Sequence, residues 1–323
     1  MSCAEILASK VMAGGMITKD EAMKLYGEPL EELCAEADEI RKHFCGDKFD
    51  VCTIINGKSG RCSEDCKFCA QSARHSTNAD TYPLLSPGEL TEKARRDFTL
   101  GAAHYGIVTS GRNLSDNEVG KVCEAVRKIK DETGISVCVS LGLLTEEQYR
   151  KLKAAGVARV HNNLETSERF FPNVCTTHKF SDKVKAIKAA KRAGLPICSG
   201  GIMGIGESVE DRVDMAITLR ELGVKNVPVN MLNPIPGTPL ALRQVLGENE
   251  LRRIIAVYRF ILPDAFIRLA GGRGLLADMG RACFESGANA SISGNMLTTQ
   301  GFSVESDMKL FDGLGFRTGH YDD

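Results

Sequence analysis

From about residue 50 onward, short apolar runs alternate with longer amphipathic ones. The short runs are "DVCTII", "HYGIVTS", "ISVCVSLG", "GVARVHNN", "LPICSGGIMG", "VKNVPVNML", "AFIRLAGG" and "ANASISG". They are rich in β-branched residues and bounded by turn formers, as strands are. Most follow a Lys/Arg/Glu-rich segment of helical period, such as "EVGKVCEAVRKIKDETG", "EEQYRKLKAAG", "DKVKAIKAAKRAG" or "VEDRVDMAITLRELG". Each of these four ends in Gly, a frequent helix terminator. Strands alternating with helices predict a parallel sheet, and eight such strands predict an α/β fold of the (β/α)8 TIM-barrel type. A doubly wound open sheet is the alternative. "GGIMGIGES" and "GGRGLL" are the nearest nucleotide-type glycine motifs, and neither fits G-x-G-x-x-G after a first strand.

Residues 1–48 have a different texture. Thr18 with Glu21 three residues later reads as a capping box, and "PLEELCAEADEIRKHFCG" continues in helical period to Gly46. The predicted division is a helical extension over 1–48, then a barrel domain over 49–323 with a C-terminal helix and tail. Residues 233–250 read as an exposed βα loop.

Composition narrows the function. The 323 residues are 43% apolar, ample for a buried core. A net charge of −1 gives no electrostatic case for nucleic acid or an anionic membrane as partner. Trp is absent and aromatics make up 6%, which argues against base-stacking platforms. No leader-like apolar run opens the sequence and no apolar stretch reaches membrane length, so a soluble cytoplasmic protein is expected. Twelve cysteines in such a chain point to metal or redox chemistry rather than disulfides.

Barrel enzymes place their site residues at the C-terminal ends of strands. That rule selects Cys62, Cys66 and Cys69 after strand one and Cys138 in strand three. It also selects Asn163 and Glu165 after strand four, Cys198 and the glycines after strand five, Asn230 in strand six, Arg268 in strand seven, and Thr298 and Thr299 after strand eight. The three loop cysteines are spaced C-x3-C-x2-C, with His75 the nearest candidate for a fourth ligand. Structural zinc sites close with four ligands; a cubane iron–sulfur cluster held by three thiolates leaves one iron open.

With Phe68 before the last cysteine, this loop resembles the signature of the radical S-adenosylmethionine superfamily. The likeness extends to the biotin synthase family over roughly residues 20–315. "CSEDCKFCAQSARH", "LPICSGGIMGIGES", "VPVNMLNPIPGTPL", "AFIRLAGGR" and "GNMLTTQG" resemble that family's motifs in order. The resemblance implies a 4Fe-4S cluster on Cys62, Cys66 and Cys69 that chelates and reductively cleaves S-adenosyl-L-methionine. The resulting deoxyadenosyl radical abstracts hydrogen from dethiobiotin, and an auxiliary iron–sulfur cluster supplies the sulfur. It also implies a flavodoxin- or ferredoxin-type electron donor and a homodimer.

One position departs from the family. Its best-known members bind the auxiliary 2Fe-2S cluster through cysteines in strands two, three and five and an arginine in strand seven. Cys138, Cys198 and Arg268 match, but the strand-two position is Gly106. Cys52, in strand one, is the candidate replacement, because inward side chains of neighbouring barrel strands share layers; Cys45 is its rival. Three thiolates without a strand-two ligand favour a four-iron auxiliary cluster with an extra sulfide, while a 2Fe-2S form with Arg268 as ligand stays open. Cys3, Cys34, Cys123, Cys175 and Cys283 are read as packing residues.

By the same resemblance Phe68, Glu165, Gly204 and Gly206 bind S-adenosylmethionine: Glu165 accepts from its ribose hydroxyls, and the two glycines let the backbone approach it. Asn163, Asn230, Thr298 and Thr299 match contacts to the ureido ring of dethiobiotin, whose donors and acceptor suit amides and hydroxyls. His161 and His178 receive no role, and Arg74 has no fixed direction. A related radical enzyme of the methylornithine synthase or hydrogenase-maturation kind is the alternative, and an iron–sulfur carrier a remote one.

Overall fold

The computed structural model describes residues 1–321; residues 322 and 323 of the expected tail lie outside the described residues. Eight parallel staves close into a barrel. In chain order they are β1 (Lys48–Lys58), β2 (His104–Thr109), β3 (Ser136–Ser140), β4 (Arg159–His161), β5 and β6 (Ile197–Cys198 and Gly201–Met203, two halves of one stave), β7 (Asn226–Met231), β8 (Phe266–Leu269) and β9 (Ala290–Ser293). β1 pairs in parallel with both β2 and β9, which closes the ring. A short β10 (Arg317–Thr318) adds to the start of β1.

The fifth expected strand is split for a steric reason. A Cβ on Gly200 would sit 1.9 Å from the Pro228 carbonyl oxygen. Pro228, within β7, also has no N–H for a ladder. The stave therefore breaks at 199–200 and resumes as β6 against β7.

Helices α4 (Pro87–Thr99), α5 (Asp116–Glu132), α6 (Glu146–Ala155), α7 (Phe180–Arg192), α8 (Val209–Glu221) and α9 (Glu248–Ile261) coat the ring. Ser86/Glu89, Ser115/Glu118, Thr145/Gln148 and Ser208/Asp211 cap four of them reciprocally, satisfying N–H groups a helix start leaves bare. Before the barrel come α1 (Cys3–Met12), α2 (Lys19–Leu25), which carries the Thr18/Glu21 capping box, and α3 (Leu30–Cys45). They pack against α8 and α9.

The N-terminal end of the barrel is plugged by aromatics. Phe49 stacks on Phe284, Phe311 and Phe316 with ring centroids 5.2, 4.0 and 4.8 Å away. The C-terminal end is left for the long βα loops. Among the described residues, no helix is long and apolar enough to cross a membrane.

Candidate active site

The three-cysteine loop follows β1 directly. Gly60 and Arg61 both have positive φ, +73° and +50°, and turn the chain back over the barrel mouth. The loop then bonds largely to itself. The Cys62 amide donates to the Gln71 carbonyl at 3.0 Å, and the Ala73 amide donates to the Cys62 carbonyl at 2.8 Å. The Ser72 hydroxyl donates to the Glu64 carbonyl at 2.6 Å. His75 Nδ1 donates to the Cys69 carbonyl at 2.9 Å, so this ring braces the loop.

Phe68 and Cys69 face the main cavity, and burial pushes the Cys69 thiol up to about 11. Cys66 turns the other way and is hydrogen-bonded to Cys175. The loop is stitched there to residues 174–178. The Lys67 amide donates to the Val174 carbonyl at 3.0 Å, the Thr176 amide to Asp65 Oδ1 at 2.8 Å, and the Thr177 hydroxyl to Glu64 Oε2 at 2.8 Å. Cys175, read as a packing residue in a βα loop, thus stands beside the three-cysteine loop.

Strand register builds the cavity floor. Gly106 pairs with Cys138, Cys138 with Arg159, and His161 with Cys198. Cys52, Cys138, Cys198, Arg159, His161 and Arg268 all line one cavity with Phe68 and Cys69. Cys138 senses both other thiols electrostatically, and burial raises it well above the thiol range; burial raises Cys52 to about 11. Cys45 is elsewhere, packed with Arg259 and the Pro263 and Ala265 carbonyls ahead of β8. At Gly106 an added Cβ would press on the Ile54 methyl at 3.1 Å, so Ile54 fills the space a cysteine there would need.

Beneath the thiols lies a buried charge network absent from the sequence reading. Asp50 Oδ2 accepts from Arg268 at 2.6 Å and Arg159 at 3.3 Å, and its Oδ1 stands 2.8 Å from His104 Nδ1. Burial alone would raise Asp50, but Arg268, His104 and Arg159 hold it well below the carboxylate range. Burial opposes the Arg268 charge too, and Asp50 overrides it. The terminal N–H groups of Arg268 are all donated: to the Asp50 and Ser291 carbonyls, to Asp50 Oδ2 and to Asn226 Oδ1. His161 Nδ1 lies 3.3 Å from Cys198 Sγ.

Glu165 is half-buried with positive φ, +71°, a strained conformation that functional sites often hold. Its Oε2 is buried without a partner, Lys183 Nζ is 4.0 Å from Oε1, and burial raises its pKa. Asn163 and Asn230 line the cavity but also work as backbone clamps. Asn163 Oδ1 accepts from the Gly200 amide at 3.0 Å; Asn230 donates to the Gly201 carbonyl at 3.0 Å and accepts from the Gly271 amide at 2.9 Å. Thr298 and Thr299 close the rim. Gly204 and Gly206 are not among the lining residues: their amides donate to the Glu207 carboxylate at 2.8 and 3.0 Å. They shape the turn after β6 while Ile202 faces the cavity.

Residues 58–231 match the model of the Radical SAM superfamily, and residues 228–317 match that of the Biotin and Thiamin Synthesis associated domain. The chain is 56% identical over 311 residues to a biotin synthase from Brachyspira hyodysenteriae, covering 96% of this chain and 93% of that one. The chain belongs to the biotin synthase family. Another member, from Akkermansia muciniphila, is 54% identical over 98% of both chains. Among solved structures, methylornithine synthase superposes with a TM-score of 0.84 at 21% identity, covering 97% of both chains. The hydrogenase maturase HydG from Carboxydothermus hydrogenoformans gives 0.82 at 17%, covering 98% of this chain and 79% of that one. These two share the fold with this biotin synthase relative, and nothing finer is read from them.

Proposed function

We propose that this chain makes biotin by inserting sulfur into dethiobiotin, a radical S-adenosylmethionine sulfurtransferase reaction. The observation that carries the reading is one cavity that brings a single thiol of the three-cysteine loop, Cys69, together with Cys52, Cys138 and Cys198. The bound groups supply what no side chain can: an electron that cleaves S-adenosylmethionine to a deoxyadenosyl radical, and a sulfide for the carbon radical.

The chain's own residues hold and orient. Cys62, Cys66 and Cys69 would hold the 4Fe-4S cluster, and Phe68, packed against Val174, Ile202 and Leu232, would help bind S-adenosylmethionine. Glu165, with an unpartnered buried oxygen, accepts from the ribose hydroxyls. Asn163, Asn230, Thr298 and Thr299 present uncharged amides and hydroxyls to the ureido ring, and the apolar walls keep water from the radical.

Cys52, Cys138 and Cys198 hold the auxiliary cluster. Arg268 stays a cation with its terminal N–H groups committed to oxygens, so it has no lone pair to offer iron. That supports a four-iron cluster with an open iron over the 2Fe-2S form. We further assign a flavodoxin- or ferredoxin-type donor, a homodimer and a cytoplasmic setting. Residues 1–48 are assigned as an extension to the catalytic barrel.

The test is anaerobic. The reconstituted chain, given reductant, S-adenosylmethionine and dethiobiotin, should yield biotin and 5'-deoxyadenosine; deoxyadenosine without biotin would point to a different substrate. Mössbauer spectra should show two four-iron clusters, and Cys52→Ser should lose about one cluster's iron while the loop cluster stays. Full iron and normal biotin in Cys52→Ser would remove Cys52 from the ligand set.

A further inference from the structure

Cys66 takes part in a second constellation. Its sulfur, the Cys175 sulfur and a ring nitrogen of His178 all lie within 4.8 Å of one another, the one group among the described residues compact enough for a single ion. Cys52, Cys138 and Cys198 are not drawn in so tightly, which suits the wider span of a cluster.

The three donors come from two segments that fix each other. Cys175 and His178 precede α7, and the Cys175 amide donates to the Phe171 carbonyl at 3.1 Å. Cys175 Sγ stands 3.2 Å from His178 Nδ1 and 3.1 Å from Asp65 Oδ1. His178 is buried, with its ring against Phe171 at 5.5 Å between centroids. Its Nδ1 also meets Glu64 Oε2 at 2.5 Å, while its Nε2 is buried without a partner. Two sulfurs, one imidazole and carboxylates behind them make the donor set of a tetrahedral borderline-metal site with one position open.

We propose that the cluster-free chain binds one divalent ion of the Zn2+ or Fe2+ kind through Cys66, Cys175 and His178. Binding as two thiolates releases the thiol protons of Cys66 and Cys175 to solvent. Glu64 and Asp65 add negative charge behind the ligands. Cys66 belongs to this set and to the radical cluster, so the two occupancies exclude each other; that clause rests on the proposed role of Cys66. The ion keeps the Cys66 thiolate coordinated and the 62–76 loop stitched to 174–178 until the cluster is built.

Co2+ is the probe, added anaerobically to the full-length, reduced, cluster-free chain. Wild type should gain a thiolate-to-cobalt charge-transfer band and tetrahedral d–d bands, bleached by Zn2+. Cys175→Ser and His178→Ala should each lose that component or weaken it at least 100-fold. Cys62→Ala and Cys69→Ala should keep it, and circular dichroism checks the fold of all four. An unchanged spectrum in Cys175→Ser, or its loss in Cys62→Ala or Cys69→Ala, overturns the site. Reconstituted Cys175→Ser should still carry the radical cluster by Mössbauer. If it cannot, Cys175 is a cluster ligand, and both the three-cysteine reading and the exclusion fall, whatever cobalt does.

Discussion

The loop thiols and the floor thiols rest on different foundations. Cys62, Cys66 and Cys69 hang from a segment whose hydrogen bonds run to itself and to the neighbouring 174–178 loop. Cys52, Cys138 and Cys198 sit on barrel staves, and beneath them Asp50, Arg159, Arg268 and His104 form one buried charge network. The loop thiols only border the core: Cys66 is partly buried and packs against it. The floor shares its supports with the core, so its chemistry and its stability are coupled. A radical initiator needs an open coordination position near solvent-delivered ligands, whereas a sulfur source needs a site that substrate alone reaches.

The largest expected effect tests that separation directly. Cys66→Ala should abolish deoxyadenosine formation, because a ligand of the proposed S-adenosylmethionine-binding cluster is lost, yet leave the unfolding free energy of the cluster-free chain within about 1 kcal/mol of wild type, as for removal of one partly buried thiol. Cys138→Ala should stop biotin formation while slow, uncoupled deoxyadenosine release continues. Product analysis by chromatography separates the two. Deoxyadenosine from Cys66→Ala, or biotin from Cys138→Ala, would merge sites that are here kept apart.

The next effect is on stability. Asp50→Asn takes the buried carboxylate away from Arg268, which costs about 3–5 kcal/mol when one partner of a buried pair is removed. The folded Asp50 carboxyl is held below its ordinary value of 3.8. Its contribution is therefore complete above that pH and fades as pH falls below it. Asp50→Asn should lower the urea midpoint at pH 7 and flatten the acid limb of the stability curve. A midpoint unchanged at pH 7 would show that the floor does not depend on this network.

How much of this was legible beforehand follows the same division. The loop site is written in one stretch, so spacing and Phe68 announce it. The strands were readable because each apolar run is short and flanked by helix and glycine. The break at Gly200 was not, since it depends on the Pro228 carbonyl from another stave. Cys52 could be placed facing the cavity by period-two reasoning, but the same alternation also marks Asp50, an acid inside an apolar strand, and Arg159 and His161 on β4. A charge within a strand run was the available signal for the network, and it was not used. Cys175 and His178 could be placed in a βα loop near the barrel mouth, but nothing local gave either a partner. They matter only because the 174–178 loop folds across residues 64–67. Gly204 and Gly206 show the converse: a glycine-rich motif suggested ligand contact, yet their amides serve Glu207.

The smallest expected effect sharpens the comparison at one atom. His161 Nδ1 is 3.3 Å from Cys198 Sγ, a hydrogen-bond distance to sulfur and a close one for two ligands of different irons. Burial and the charges of Lys183 and Arg268 push the ring down to about 4, so it is neutral at pH 7. A neutral ring carries one proton, and Cys198 as a metal-bound thiolate can only accept, so that proton sits on Nδ1. Hydrogen bonds to cluster sulfurs set potential. Losing one worth about 1 kcal/mol net should therefore lower the auxiliary potential by roughly 40 mV for a one-electron step. His161→Phe should show that shift in a redox titration followed by electron paramagnetic resonance, and His161→Gln, whose amide can still donate, should recover part of it. The loop cluster's potential should stay put in both. An unshifted auxiliary potential in His161→Phe would leave the ring as wall rather than donor. A strong nitrogen coupling lost with His161 would instead make it a ligand, and the floor site would then be closed by protein on every side.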